Sequence, residues 1–122
     1  MTMPTMQQAL KLYEETMRKR CAESSRFELG RSKGERIHAA MVAVAAQMIA
    51  SRLPEIDGEK AYIMGLFHDF GKLVYNDEMS DKFHGLEGYK YLRKLGYDEL
   101  ARISLTHTFY EQELNLKEYA GY

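Results

Sequence analysis

The chain has 122 residues and a mass of 14.2 kDa, which suits one domain with a real hydrophobic core and is too small for two. Its 45% hydrophobic and 29% charged residues are the balance of a globular protein and exclude a disordered tail. The net charge of -1 excludes a global field that would recruit a nucleic-acid duplex or an anionic membrane. We therefore expect a single domain over residues 1–122 that holds any anionic ligand through local groups.

One cysteine and the absence of a secretory signal set the expected compartment. Cys21 is the only cysteine, so it cannot form an internal disulfide, and a lone thiol suits a reducing compartment. It has no histidine near it in sequence and is predicted to be structural, not nucleophilic. The N-terminus lacks the basic start and apolar core of a signal peptide. The longest apolar stretch, 39–50, falls short of the ~20 residues that a membrane helix needs, so we expect a cytoplasmic protein with no membrane partner.

The first third of the chain predicts one helix and a connection. Residues 5–23 place apolar side chains at spacings of three and four, the pattern of an amphipathic helix. These apolar positions are Met6, Leu10, Tyr13 and Met17. Segment 24–33 has glycines and serines at its edges and is predicted to be a connection.

Two apolar helices are predicted next. Ser32 with Glu35 has the spacing of a capping box, and residues 37–49 are apolar nearly all round, which predicts a helix inside a bundle with His38 entering its interior. Asp57 is the predicted N-cap of the next helix, which carries His68 and Asp69 at its C-terminal end. Gly65 lies on roughly the same face as His68 and leaves room for a neighbouring helix or a ligand, and Gly71 allows the chain to turn afterwards.

The last third predicts a loop and two more helices. Residues 74–81 are polar enough for a loop, and residues 81–95 read as a helix with His84 in its first turn and Gly96 just beyond its end. Asp98 is the predicted cap of a further helix. Leu100, Ile103, His107 and Tyr110 share one stripe of that helix. With no convincing strand, the predicted fold is an all-α bundle of five to six helices.

The four histidines carry the functional argument jointly, because any one of them is more often a core or surface residue than a ligand. An imidazole without a partner in an apolar helix would cost a few kcal/mol, which applies to His38 and His68. Burying the charge of Asp69 would cost more unless a cation balances it. A divalent ion bound by neutral imidazoles and a carboxylate would satisfy these groups together.

The sequence resembles the HD phosphohydrolase superfamily, named for its histidine–aspartate doublet, over residues 36–108. The matching motifs are Arg36-Ile37-His38, His68-Asp69-Phe70-Gly71-Lys72, Phe83-His84-Gly85 and Thr106-His107. The resemblance implies an all-α core that binds one or two divalent metals and hydrolyses phosphomonoesters or phosphodiesters, often of nucleotides. The two later histidines look most like the branches of the superfamily with two metals.

By this resemblance His38, His68 and Asp69 are ligands of a first metal, Asp69 bridges, and His84 and His107 hold a second metal. The set of donors contains no sulfur and does not distinguish Mn, Fe, Co, Ni, Mg or Zn. The mechanism implied is attack by a metal-bound hydroxide on the phosphorus of a small phosphorylated substrate, taken to be a nucleotide. Asp69 and Lys72 are the predicted catalytic residues. Lys72 lends positive charge to the substrate phosphate, or else is a surface lysine after a turn.

One part of the family's pattern is missing, since the first site is normally completed by an aspartate on a later helix and no aspartate follows Asp98. Glu111 could substitute from four residues beyond His107, although a solvated glutamate is the ordinary interpretation. A short natural variant, a truncated product and a ligand borrowed from a partner chain all stay open.

Two rival functions also stay open. The chain could be a catalytically impaired HD-like module that binds a nucleotide or a protein partner, or a di-iron protein with redox chemistry. The last third of the chain is rich in tyrosine, which is compatible with an aromatic surface for a homo-oligomer and equally with core packing. These tyrosines are Tyr89, Tyr91, Tyr97, Tyr110, Tyr119 and Tyr122.

Overall fold

The computed structural model describes residues 3–74 and 84–108, with the side chains in those ranges except those of His84 and residues 106–108. The regular elements of these two ranges are all α-helices, which confirms the all-α prediction. They are α1 (Met6–Glu23), α2 (Ser25–Gly30), α3 (Ser32–Ala50), α4 (Gly58–Leu66), α5 (Gly71–Val74), α6 (His84–Lys94) and α7 (Asp98–Thr108). Two short helices, α2 and α5, bring the number above the predicted five to six. None of the helices described here is both long enough and apolar enough to cross a membrane.

Helix α1 forms where the sequence predicts it and presents a slightly different face. A capping box opens the helix, in which the Gln8 N–H donates to the Thr5 hydroxyl and the Thr5 N–H donates to the Gln8 side chain. Tyr13 and Met17 are buried as expected, but Leu10 is 47% exposed. The prediction for Leu10 is wrong because the core contacts the face that carries Ala9, one position away.

The predicted connection between α1 and α3 is instead a helix, and this changes the start of α3. Ser24 caps α2 by accepting a hydrogen bond from the Phe27 N–H, and the buried Phe27 ring anchors the helix to the core. Ser32 does not cap α3 as predicted. It is the first residue of the helix, and its hydroxyl donates to the Glu28 carbonyl at 2.7 Å. The chain passes almost directly from α2 into α3, so a carbonyl near the end of α2 is within reach and accepts the hydrogen bond of the Ser32 hydroxyl.

Helices α3 and α4 approach closely because Gly65 has no side chain. A Cβ at Gly65 would lie 2.8 Å from the Ala43 Cα and 2.8 Å from the Val42 carbonyl oxygen, both backbone atoms of α3. The prediction that this glycine makes room for a neighbouring helix is therefore confirmed. Ala39 and Ala43 are buried on the same side of α3.

The prediction that α3 is buried all round is wrong. Among the described elements it packs mainly on α4 and α2, which cover one side. The opposite side leaves four large apolar residues between 46% and 66% exposed. These residues are Ile37, Met41, Val44 and Met48.

The second half of the fold packs α6 between α5 and α7. A Cβ at Gly88 would lie 2.9 Å from the Gly71 nitrogen and 2.8 Å from the Ser104 hydroxyl, so a glycine is needed for this approach. Gly96 ends α6 with a φ of 93°, as predicted for a C′ glycine. Residues 75–83, which include most of the predicted 74–81 loop, lie outside the described residues, and Val74 belongs to α5.

Candidate metal centre

His68 and Asp69 lie in the turn that joins α4 to α5, just beyond the end of α4. The sequence predicts them in the C-terminal part of that helix, so the helix is slightly shorter than predicted. Phe67 and Phe70 flank the pair and are both 0% exposed, so the turn is fixed to the core on each side. His68 and Asp69 are themselves buried, at 6% and 5% exposure. The buried turn therefore presents two adjacent polar side chains from inside an apolar environment.

The hydrogen bonds of His68 select its tautomer. Nδ1 lies 2.7 Å from the Gly65 carbonyl oxygen, and because a carbonyl only accepts, Nδ1 carries the proton. In the neutral ring Nε2 is then the unprotonated nitrogen, whose lone pair can bind a metal ion, the arrangement that protein metal sites commonly use. Burial lowers the pKa of His68, but the hydrogen bond and charge of Asp69, with help from the Gly65 carbonyl, outweigh it and raise this pKa above its ordinary value.

Three potential ligand atoms converge on one point. The Nε2 of His38 lies 2.9 Å from the Nε2 of His68 and 3.5 Å from the Oδ2 of Asp69, and the last two atoms are 3.2 Å apart. Ligand atoms about 2.1 Å from an ion and subtending tetrahedral or octahedral angles are about 3.0–3.4 Å apart. The three donors thus fit a single divalent cation with little rearrangement.

His38 stands at the rim of this group and not in the interior that the sequence predicts. Its side chain is 52% exposed, whereas those of His68 and Asp69 are 8% and 5% exposed. It reaches the other two ligands because Gly65 lets α3 lie directly against α4. An open rim suits a catalytic metal, which needs a coordination position accessible to water or substrate.

Lys72 lies beside the three ligand atoms and is held by two carboxylates. Its Nζ is 3.6 Å from the Asp69 Oδ2 and 3.7 Å from a carboxylate oxygen of Glu35. The Glu35 side chain is only 13% exposed. Sequence reasoning assigned Glu35 to a helix cap and missed it at the site. Its spacing of three residues from His38, which puts both on one helix face, was the available signal.

The charges of this group favour a divalent cation. Glu35 and Asp69 contribute two negative charges and Lys72 one positive charge, which leaves one net negative charge when both histidines are neutral. A divalent cation would reverse the sign to one net positive charge, and this would attract an anionic ligand such as a phosphate ester.

Tyr13 is a second residue near the site that sequence reasoning treated only as core. Its ring packs edge-on against Phe67, with centroids 5.9 Å apart, and lies 6.4 Å from the Phe70 ring. The hydroxyl is buried and has no hydrogen-bond partner among the described residues. Burial raises the pKa of Tyr13, and the negative charges of Glu35 and Asp69 raise it further. Nothing local in the sequence marks this tyrosine, because its position depends on how α1 crosses the turn.

The predicted ligands of a second metal, His84 and His107, have side chains outside the described part of the structure. His84 is the first residue of α6 and His107 lies in α7, but their side chains, like all of Glu111, lie outside the described residues. The backbone brings the relevant helices together, since Gly88 of α6 lies against Gly71 of α5 and Ser104 of α7. The roles of His84, His107 and Glu111 therefore stay predictions.

The family comparison covers most of this architecture. A model of the HD domain matches residues 36–120, a range that starts just before His38 and includes most of α3 and all of α4 to α7. No curated protein and no solved structure matches the chain. The match covers well over half of the 122 residues and contains the doublet that forms the buried turn. The chain therefore belongs to the HD-domain family.

Proposed function

We propose that the protein is a metal-dependent phosphohydrolase that acts on a phosphomonoester or phosphodiester, with nucleotides as the first substrates to test. The observation that carries the proposal is the convergence of His38, His68 and Asp69 on one point at donor separations suited to one divalent cation. A bound divalent cation supplies Lewis acidity toward a phosphoryl oxygen and lowers the pKa of water. His84 and His107 are the proposed ligands of a second cation.

The chain's own residues have distinct tasks in this proposal. The Gly65 carbonyl orients the His68 ring, and the buried turn excludes water from its inner side. Lys72 places an ammonium group beside Asp69, where it can contact an oxygen of the phosphate ester and stabilise charge that develops there. Glu35 holds that ammonium group in place from the side of α3.

The test is hydrolysis by protein loaded separately with Mn²⁺, Co²⁺ and Fe²⁺. Each form is offered a generic phosphomonoester, a generic phosphodiester and a panel of nucleotides. Asp69→Asn serves as the matched inactive variant, because it keeps the shape of the side chain and removes the charge. Turnover by at least one metal form that is lost in Asp69→Asn supports the proposal.

Other outcomes would contradict it. Absence of turnover with every metal and substrate would rule out the hydrolase, and nucleotide binding without turnover would favour the catalytically impaired module instead. Equal turnover by Asp69→Asn would show that a contaminating enzyme or a different site is responsible.

A further inference from the structure

The Tyr13 hydroxyl is the buried polar group near the site whose role the proposed function leaves open. It belongs to α1, which precedes the family match at 36–120. The residue is 7% exposed, and its hydroxyl has no hydrogen-bond partner among the described residues. A buried hydroxyl without a partner is destabilising, and phenylalanine would fill the same space without that cost.

Tyr13 packs against the turn that carries two of the three candidate ligands. The tyrosine ring contacts Phe67 and Phe70, the two residues that flank His68 and Asp69. The charges of Glu35, Asp69 and Glu14 raise the pKa of this hydroxyl, and the charge of Arg36 lowers it. The hydroxyl therefore lies near charged residues of the site, two of which, Glu35 and Asp69, hold Lys72.

None of the three carboxylates near Tyr13 takes a hydrogen bond from its hydroxyl, and among the described residues the hydroxyl has no other acceptor. The ligand that the site attracts, once a cation has reversed its charge, is an anion rich in acceptor oxygens. A tyrosine O–H bonded to such an oxygen forms a charge-assisted hydrogen bond, which is stronger than a neutral one.

We propose that Tyr13 is a substrate-binding residue whose hydroxyl donates a hydrogen bond to a non-bridging oxygen of the phosphate group bound at the His38–His68–Asp69 site. This inference rests on the proposed function for the presence of a phosphate ligand. It adds a contact from α1, outside the family match, and makes α1 part of the site.

The test compares Tyr13→Phe with the unmodified protein, using inorganic phosphate as the probe. Titration calorimetry measures phosphate binding to the Mn²⁺-loaded protein and, separately, Mn²⁺ binding to the metal-free protein. We expect phosphate affinity to fall about tenfold, Mn²⁺ affinity to stay the same, and the melting temperature of the metal-free variant to be equal or higher. Tyr89→Phe is the control, since its buried hydroxyl accepts a hydrogen bond from Arg93 at 2.8 Å, and it should lose stability and keep phosphate affinity.

The outcomes separate this inference from the proposed function. Unchanged phosphate affinity in a Tyr13→Phe variant of an active hydrolase would overturn the role of Tyr13 alone. Weakened phosphate binding in a protein that hydrolyses nothing would support Tyr13 and contradict the hydrolase. A lower melting temperature of metal-free Tyr13→Phe would show that the hydroxyl is already satisfied structurally, and absence of phosphate binding in the unmodified protein would also overturn the inference.

Discussion

At the scale of single residues, Lys72 distinguishes metal binding from catalysis. Its ammonium group lies near Asp69 and Glu35 but is not itself a metal ligand. We expect Lys72→Met to lower the hydrolysis rate by about 100-fold, the usual cost of removing one group that stabilises charge in the transition state. Binding of Mn²⁺ should be retained or tightened, because the group of residues loses a positive charge.

Steady-state kinetics and Mn²⁺ titration of the same preparation check this expectation. Lys11→Met is the control, as the Lys11 side chain is 80% exposed and pairs with Glu15 on the surface of α1. Loss of Mn²⁺ binding in Lys72→Met would mean that the lysine organises the ligands and does not act on the substrate.

At the scale of helices, the contact between α3 and α4 positions the ligands. Gly65→Ala would push a Cβ to 2.8 Å from backbone atoms of α3, and backbone cannot move aside as a flexible side chain can. We expect this variant to lose about 3 kcal/mol of unfolding free energy and to bind Mn²⁺ more weakly, since His38 would move away from His68. Urea unfolding and Mn²⁺ titration measure the two effects.

Gly34→Ala, in α3, provides the opposite case. Apart from its chain neighbours and the backbone of α3, no atom of the described residues lies within 4 Å of a Cβ built at Gly34. The substitution therefore mainly improves the helix propensity of α3. The unfolding free energy should rise by about 0.5–1 kcal/mol. Equal changes in unfolding free energy in the two alanine variants would show that Gly65 is not needed for the close approach of α3 and α4.

The attachment of α1 to α3 predicts a pH dependence of stability. Arg36 hydrogen-bonds Glu14 and holds the pKa of that carboxyl below its ordinary value of 4.5. A lowered pKa in the folded state adds stability above about pH 4.5 that disappears as the pH falls through the folded pKa. Because both side chains are 39% exposed, solvent screening limits the effect to about 0.5 kcal/mol.

Glu14→Gln should therefore be less stable than the unmodified protein at pH 7 and equally stable near pH 3. Urea unfolding at a series of pH values measures the difference. A gap between the two proteins that does not change with pH would mean that the ion pair contributes packing and not charge.

At the scale of the whole molecule, the features that the sequence predicts well depend on local chemistry. The Asp57 side chain accepts hydrogen bonds from the N–H groups of Glu59 and Lys60 as an N-cap should, and Gly96 takes the positive φ of a C′ residue. The histidine–aspartate doublet marks the buried turn because its motif is contiguous in the chain.

The features that the sequence does not predict depend on which elements meet. One side of α3, around Met41, is exposed because the helices that pack on α3 cover its other side. A hydrophobic pattern shows that a helix is apolar but not which sides of it are covered. The Ser32 hydroxyl donates to a carbonyl of α2 instead of capping α3. The sequence does not predict this bond, because the segment that forms α2 has no marked hydrophobic periodicity. Tyr13 reaches the site through packing between distant segments, so no local motif reveals it. The spacing of Glu35 from His38 shows that the two share a face of α3 but not that this face meets Lys72.

The central claim is that His38, His68 and Asp69 bind a divalent cation, and metal binding by Asp69→Ala tests it most directly. Mn²⁺ bound per chain is measured by calorimetry and elemental analysis for the unmodified protein and for the variant, with circular dichroism to verify that both are helical. We expect at least one ion per chain in the unmodified protein and none in folded Asp69→Ala, because the site then loses its only carboxylate ligand among these three residues. A folded variant that retains its full metal content would contradict the assignment of the site.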